Sequence, residues 1–411
     1  LSLMTGDFSA HNRFMENQHH PHHNHDDMAG LVLTGGGARA AYQIGVLHQL
    51  SKWFVQQNRR DLDFPFKILC GTSAGAINAT ALACAGRNFY QSTDRMLRVW
   101  ENFHSEQVFR ADSIGMIRTG ARWLSALSIG WMLRKRPKSL LDNTPLAALL
   151  HETLHFRRMD EAMERGKIKA VAVSASSYSS GRSVTFFQSH EPIDPWIRSQ
   201  RVAICDRITV EHLLASAAIP FVFPATKIDI EGRMEYFGDG SMRQLAPISP
   251  AIHLGASRVM VIGASQINER HQETVEIDRT YPSLARIAGH AMASIFLDSL
   301  STDIERLTRV NKTLALLPPD IAQRTPLKPV KLLVISPSQR IDEIAAQHAR
   351  DLPRTVRTLL SALGATEASG SSLMSYLLFE ANYTRELIRM GIADTLAMKE
   401  EVYDFFKLTH P

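Results

Sequence analysis

Gly71-Thr72-Ser73-Ala74-Gly75 stands where one apolar run ends and an alanine-rich run begins. A serine acts as a nucleophile when its hydroxyl is thrust out of a sharp strand-to-helix turn, and glycines two positions to either side let neighbouring backbone pass without collision. The N-terminus of the following helix also favours negative charge developing beside the hydroxyl. A G-x-S-x-G string is common enough to arise by chance in loops, with its serine doing no more than capping a helix. The position of this one, between a strand and a helix, favours the catalytic reading of Ser73 over the capping one.

Thr34-Gly35-Gly36-Gly37-Ala38-Arg39 also lies between an apolar run and a helical pattern. Three readings fit it. Followed by Ala40, it satisfies the G-x-G-x-x-A form of a dinucleotide-binding turn, which expects an acidic residue about 20 positions on, at the end of a second strand. That second strand ends instead in Cys70, just before Ser73, and Asp61 and Asp63 precede it. Alternatively, the loop turns the backbone N–H groups of Gly35, Gly36, Gly37 and Ala38 towards an oxyanion formed at Ser73, with Arg39 bracing the loop or adding positive charge. A purely structural glycine turn is the third reading.

A nucleophilic serine needs a base. Asp239-Gly240, followed by Ser241, comes after the apolar patch Tyr236-Phe237-Gly238, so the carboxylate would emerge from a strand end into a turn. Asp-Gly pairs are ordinary turn signals, and alone this one reads as structural. A Ser-His-Asp triad would need one of His253, His271, His290, His348 and His410. None sits in a turn-rich loop. His253, near Ile252 and Leu254, and His290, between Gly289 and Ala291, both read as helical.

The elements that must position these groups alternate in type. Leu31-Val32-Leu33 predicts a short strand; Tyr42, Val46, Leu50 and Trp53, spaced by four, four and three, predict the helix after it. Phe66 to Cys70 predicts a second strand and Ala74 to Ala85 a second helix. Strand, helix, strand, helix argues for parallel pairing in an α/β sheet. Helices dominate to about Gly166, one of them opening at Asn143-Thr144-Pro145 with a polar cap before a first-turn proline. Lys169–Ser176, Ser183–Ser189, Arg258–Gly263 and Lys331–Ile335 read as strands, and the last ninety residues as mainly helical, including one helix over Ser372 to Met390. The organisation expected is a His-rich tail over 1–29, an α/β domain over 30–300 and a helical extension over 301–411.

The chain has 411 residues, 45% hydrophobic and 21% charged, near globular averages. No apolar run reaches the roughly 18 residues that cross a bilayer, and no basic-then-apolar segment opens the chain, so a soluble, cytoplasmic protein is expected. Cys70, Cys84 and Cys205 are too few and too far apart for a disulfide framework or a cysteine-rich zinc site. The tail histidines have no fixed geometry for a metal. The net charge of +5 is matched by a local excess between Asp112 and Lys138, six basic residues against one acidic. No general field suited to nucleic acid remains. Within that stretch Trp123, Leu124, Leu127 and Trp131 share a side of a helical pattern that ends in Arg134-Lys135-Arg136-Pro137-Lys138. It reads either as a core helix with a solvated basic end or as a contact with an anionic membrane through Trp123, Trp131, Arg134, Lys135, Arg136 and Lys138.

Taken together, the three motifs closely resemble those of the patatin-like phospholipases. The resemblance implies a three-layer α/β sheet flanked by helices and an acyl hydrolase acting on lipid or lysolipid esters without metal or organic cofactor. Carried over residue by residue, it implies Ser73 as nucleophile within the Gly71, Thr72, Ala74, Gly75 elbow, and Asp239 as the proton acceptor that activates the serine without histidine. Gly35, Gly36, Gly37, Ala38 and Arg39 then form the oxyanion loop. Ala215-Ser216-Ala217-Ala218-Ile219-Pro220, with Phe223-Pro224, resembles the segment family members carry before the aspartate, and Ser375-Tyr376-Leu377-Leu378-Phe379 resembles the C-terminal portion of longer bacterial members. Ser241 departs from the Gly or Ala usual after the Asp-Gly pair. A non-catalytic lipid-binding or scaffold protein of the same fold and a nucleotide-binding oxidoreductase are the competing classes.

Overall fold

A computed structural model of the chain describes residues 27–57, 64–85, 88–110, 139–266, 284–362 and 371–409. The expectations for residues 1–26, for Trp123, Leu124, Leu127, Trp131, Arg134, Lys135, Arg136 and Lys138, and for His271 and His410 lie outside them. Among the described residues ten strands form one mixed sheet: β1 Ala29–Leu33, β2 Ile68–Thr72, β3 Ala170–Ser177, β4 Ser183–Ser189, β5 Ile197–Arg198, β6 Arg201–Cys205, β7 Thr226–Ile230, β8 Arg233–Asp239, β9 Arg258–Ile262 and β10 Lys331–Ile335. The order is β10-β9-β1-β2-β3-β4-β6-β5, parallel from β10 to β3, with the β7–β8 hairpin joined antiparallel to β3.

Alternation along the central strands explains the layers. Leu31, Leu33, Leu69, Met260 and Ile262 face one apolar core, and their neighbours Val32, Ile68, Cys70, Val259 and Val261 face a second, as a two-residue side-chain period requires of a sheet covered on both sides. The helices, in chain order, are α1 Ala41–Gln56, α2 Ala74–Cys84, α3 Phe89–Glu101, α4 Thr144–Thr153, α5 Phe156–Glu164, α6 Val210–Ser216, α7 Ser249–His253, α8 Leu284–Ala315, α9 Pro319–Arg324, α10 Ile341–Gln347, α11 Arg354–Ala362, α12 Ser371–Leu377, α13 Ala381–Ala397 and α14 Lys399–Phe406. Helices α1, α2, α13 and α14 contribute to the first core, α7 and the later part of α8 to the second. The backbones of α1 and α13 nearly touch: a Cβ on Gly45 would strike the backbone of Ile388, and one on Gly391 that of Tyr42.

Several boundaries differ from the sequence reading. Strand β1 starts at Ala29, because it pairs with Arg258 there. Strand β2 covers Ile68–Thr72, not Phe66–Cys70: its parallel pairing with β3 carries the ladder through Gly71 and Thr72. Helix α4 opens at Asn143 with Pro145 in its first turn, as expected, but the side chain that accepts an N–H there is Asp142, which takes that of Thr144 at 2.9 Å. The expected helix over Ser372–Met390 is two helices, α12 and α13, broken at Leu378-Phe379-Glu380 where Phe379 turns into the core. The three cysteines are free, Cys70 and Cys84 buried.

Candidate active site

Two strands share one edge of β3, and their exchange builds the site. Strand β2 pairs with β3 up to Thr72 opposite Ser174, and β8 takes over with Asp239 opposite Ala175. The last residues of β2 and β8 therefore meet side by side, although 166 positions separate Ser73 from Asp239. Ser73 follows β2 directly with φ 55°, ψ −130° and begins α2. That backbone is uncommon for a non-glycine residue, and the surroundings hold it. The N–H of Ser73 donates to Ser216 Oγ at 2.8 Å, and Ser216 donates to the Ser174 carbonyl at 2.6 Å. On the sheet side, a Cβ at Gly75 would collide with the backbone of Leu33 and Thr34, which explains the second glycine of the pentapeptide.

Ser73 Oγ donates to Asp239 Oδ2 at 2.6 Å. The other oxygen, Oδ1, accepts the N–H of Ser241 at 2.9 Å. Asp239 is fully buried and Ser73 is 2% exposed. Burial raises the Asp239 carboxyl to about pKa 6, and the hydrogen bonds from Ser73 and Ser241 offset part of that rise. Ser241 thus does more than shape the turn. Its N–H holds the carboxylate, and its hydroxyl stands where a side chain on Gly35 would have to go.

The glycine loop lies beside this pair. Gly37 adopts φ +54°, a left-handed conformation that glycine takes without a steric penalty, and its missing side chain leaves room for the Tyr376 carbonyl. Arg39 is buried and points at the C-terminal segment. Its Nε donates to Ser375 Oγ at 2.7 Å and its Nη1 to Ser265 Oγ at 3.1 Å, and its guanidinium lies 4.2 Å from the Tyr376 ring centroid. Of the two contributions open to Arg39, bracing is the one its contacts fit. A buried relay fixes the other end of the loop. Trp100 donates to Asn78, which donates to Gln43 and the Ala40 carbonyl, while Gln43 donates to the Thr34 carbonyl.

His253 and His348 are engaged elsewhere. His253 bonds the Ser249 carbonyl through Nδ1 and stacks on Trp196, and His348 lies between Asp351 and Glu386. His290 belongs to α8. Sequence reasoning placed the Ala215–Pro220 stretch by resemblance without assigning it a task. In the structure Ser216 takes the Ser73 N–H and the Ala218 carbonyl takes the Asp239 N–H at 2.9 Å, so the stretch threads between the two groups. A lone serine in an alanine-rich turn was the available signal. Gly37 and Ser73 also border an apolar cavity with about 1050 Å³ of empty space, the part open to solvent included.

A family model described as patatin-like phospholipase matches residues 31–252, more than half of the chain. The chain belongs to the patatin-like phospholipase family. No curated protein matched it. Among solved structures, VipD from Legionella pneumophila is similar at 12% identity and TM-score 0.32, over 89% of this chain and 67% of that one. The human GIVD cytosolic phospholipase A2, in complex with methyl gamma-linolenyl fluorophosphonate, is similar at 13% identity and TM-score 0.43, over 92% of this chain and 59% of that one. The patatin-like chain thus spans about three fifths of the human enzyme's length. Its mixed sheet flanked by helices and its helical C-terminal region fit the patatin fold, and its domain supports lipid-hydrolase chemistry. Among the described residues no helix is long and apolar enough to cross a membrane.

The Arg39 contacts carry a first expectation. The Arg39 side chain bonds Ser265, Ser372 and Ser375 and not Ser73 or Asp239, so Arg39→Ala should unbrace the glycine loop without altering either. Losing buried charge-assisted hydrogen bonds costs about 1.5–3 kcal/mol of stability, and a glycine loop set loose from its brace should lower turnover by at least about tenfold. Steady-state kinetics on a soluble ester should show kcat falling with KM little changed. Arg39→Lys, which keeps the charge and loses the fork, should behave nearly as badly.

Proposed function

We propose that the protein is a serine acyl hydrolase that cleaves fatty-acyl esters of lipids or lysolipids through a Ser73–Asp239 dyad and an acyl-enzyme intermediate. The observation that carries this reading is the 2.6 Å bond from the Ser73 hydroxyl to a buried carboxylate, set at the edge of an apolar cavity. As Ser73 Oγ attacks the ester carbonyl, its proton passes to Asp239. Amides of the Gly36–Ala38 loop receive the oxyanion, and the departing alkoxide takes the proton from Asp239. Water, giving a proton to the same carboxylate, then attacks acyl-Ser73 and releases the fatty acid, and the proton returns to Ser73. The reading needs no metal or organic cofactor. Peripheral contact with an anionic membrane through the basic segment ending at Lys138 belongs to the same reading and rests on the sequence.

A buried aspartate suits the task better than an exposed one. Raised to about pKa 6, it is a stronger base than an ordinary carboxylate yet still ionised at neutral pH. Only the ionised form accepts the serine proton, so kcat/KM on a non-ionising ester should level off above about pH 7 and fall close to tenfold per unit below pH 6. A profile flat down to pH 4 would mean that Asp239 is not the base.

Labelling by a fluorophosphonate probe tests the whole assignment. An activated Ser73 should be modified stoichiometrically, with the adduct on the peptide that contains it. A lipid carrier of the same fold, or a dinucleotide-dependent enzyme, would stay unlabelled.

A further inference from the structure

The cavity beside Ser73 has a direction. Its wall includes Ser73, Ile77, Ala81 and Ala85, which recur every four residues and so follow one face of α2 from the serine to the end of the helix. At 1.5 Å per residue, Ala81 lies about 12 Å and Ala85 about 18 Å along that axis from Ser73. Met96 of α3 and Leu150 of α4 stand across from this face. Aromatic rings also line the cavity: Trp100 and Phe103 stack at 5.0 Å, and Phe379 lies 5.7 Å from Phe103. The alanines leave the length of the cavity clear where any larger side chain would fill it.

We infer that this cavity receives a single unbranched acyl chain laid along α2, with its carbonyl at Ser73, and that Ala81 and Ala85 set how long that chain can be. The inference rests on the hydrolase reading above for the identity of the reacting carbonyl, but not for the shape of the channel. Both alanines are partly exposed and line the cavity, Ala81 also packing against the first core, so a larger side chain there takes up cavity space. A phenyl group at position 81 blocks the channel about 12 Å from the serine, and one at position 85 blocks it about 18 Å away. The two variants should thus cut off at different lengths.

The test is kcat/KM of wild type, Ala81→Phe and Ala85→Phe on p-nitrophenyl butyrate, hexanoate, laurate and palmitate presented below their aggregation limits. Ala81→Phe should keep butyrate and hexanoate near wild type and lose laurate and palmitate by about tenfold or more, the discrimination an apolar pocket of fixed size provides. Ala85→Phe should keep laurate and lose palmitate. Retained butyrate turnover shows that each variant is folded. Should Ala81→Phe fail to fold, Ala81→Leu carries the same comparison with a smaller obstruction. A uniform loss across all four esters, or identical length profiles for the two positions, overturns the inference. If wild type hydrolyses none of the esters, displacement of a fluorescent long-chain fatty acid by laurate and palmitate reads the channel separately. Ordered loss of binding in the two variants then upholds the channel while the hydrolase reading fails, and unchanged binding overturns the channel as well.

Discussion

Replacing Ser73 with alanine should lower hydrolysis of a soluble acyl ester by at least about a thousandfold, roughly 4 kcal/mol of barrier, because no other group replaces the attacking oxygen. Residual activity within about tenfold of wild type, or about 1.4 kcal/mol, would remove Ser73 from the mechanism. The fold should survive the change: the backbone turn is held by Ser216 and by the strand ladder, not by the hydroxyl. Ser73→Gly sharpens the comparison. The φ of 55° and ψ of −130° strain any residue with a Cβ, so the glycine variant should be as inactive as the alanine variant but melt at a higher temperature. Thermal unfolding of the three proteins, read beside their turnover, separates a chemical role for the hydroxyl from a structural one.

Asp239→Asn should reduce turnover by at least two orders of magnitude, in line with the roughly 10²–10⁴-fold that a positioned proton acceptor supplies. Its effect on stability should have the opposite sign. A carboxyl raised from 3.8 to about 6 is harder to ionise in the folded chain than in the unfolded one. The wild-type charge therefore costs folding free energy above pH 6, on the order of 3 kcal/mol for a two-unit shift. The penalty shrinks as the pH drops below 6 and vanishes below the unfolded value of 3.8, where both states are protonated. Asparagine carries no charge and can still accept the Ser241 N–H, so the variant should melt above wild type at pH 8, with the gap closing as the pH falls. An inactive variant that melts lower at pH 8 would mean that Asp239 is chiefly a structural ligand of the turn. His253→Ala and His348→Ala, by contrast, should stay near wild-type turnover wherever they fold, since both rings bond away from Ser73.

The short motifs were legible because their chemistry is local. A strand, a glycine loop and a strand-to-helix turn are each specified within a dozen residues, and Ser73, Asp239 and Gly37 stand where those rules place them. The pairing of Ser73 with Asp239 was reached by resemblance, because Asp-Gly in isolation is a turn and nothing local says which serine it meets. What joins them is the shared edge of β3, a long-range register that periodicity does not encode. The same limit hid the work of Ser216 and Ser375, serines in unremarkable contexts that matter only through partners 143 and 336 positions away. Strand β7 was missed for another reason. Thr226-Lys227-Ile228-Asp229-Ile230 alternates polar and apolar residues, but its charges mask a hairpin strand buried on one side. The break between α12 and α13 follows from Phe379 turning inward among Trp100, Phe103 and Phe109, a demand of packing that the helical pattern through Met390 does not reveal.

The close crossing of α1 and α13 bears on the order of events during synthesis. Gly45 and Gly391 admit each other's helix backbones only when both helices are present, and both helices pack into the first core, to which α2 also contributes. Contacts of such separation form late, after the entropy of a very long loop has been overcome. A ribosome-bound chain that has passed the family-matched span, at residue 252, has both Ser73 and Asp239 but not the helix that closes over α1. Until that helix emerges, the apolar face of α1 is open to water, and the nascent chain is exposed to misassembly of the kind that chaperones restrain. The layer over α1 would then be completed only once α13 has been synthesised, well after Asp239.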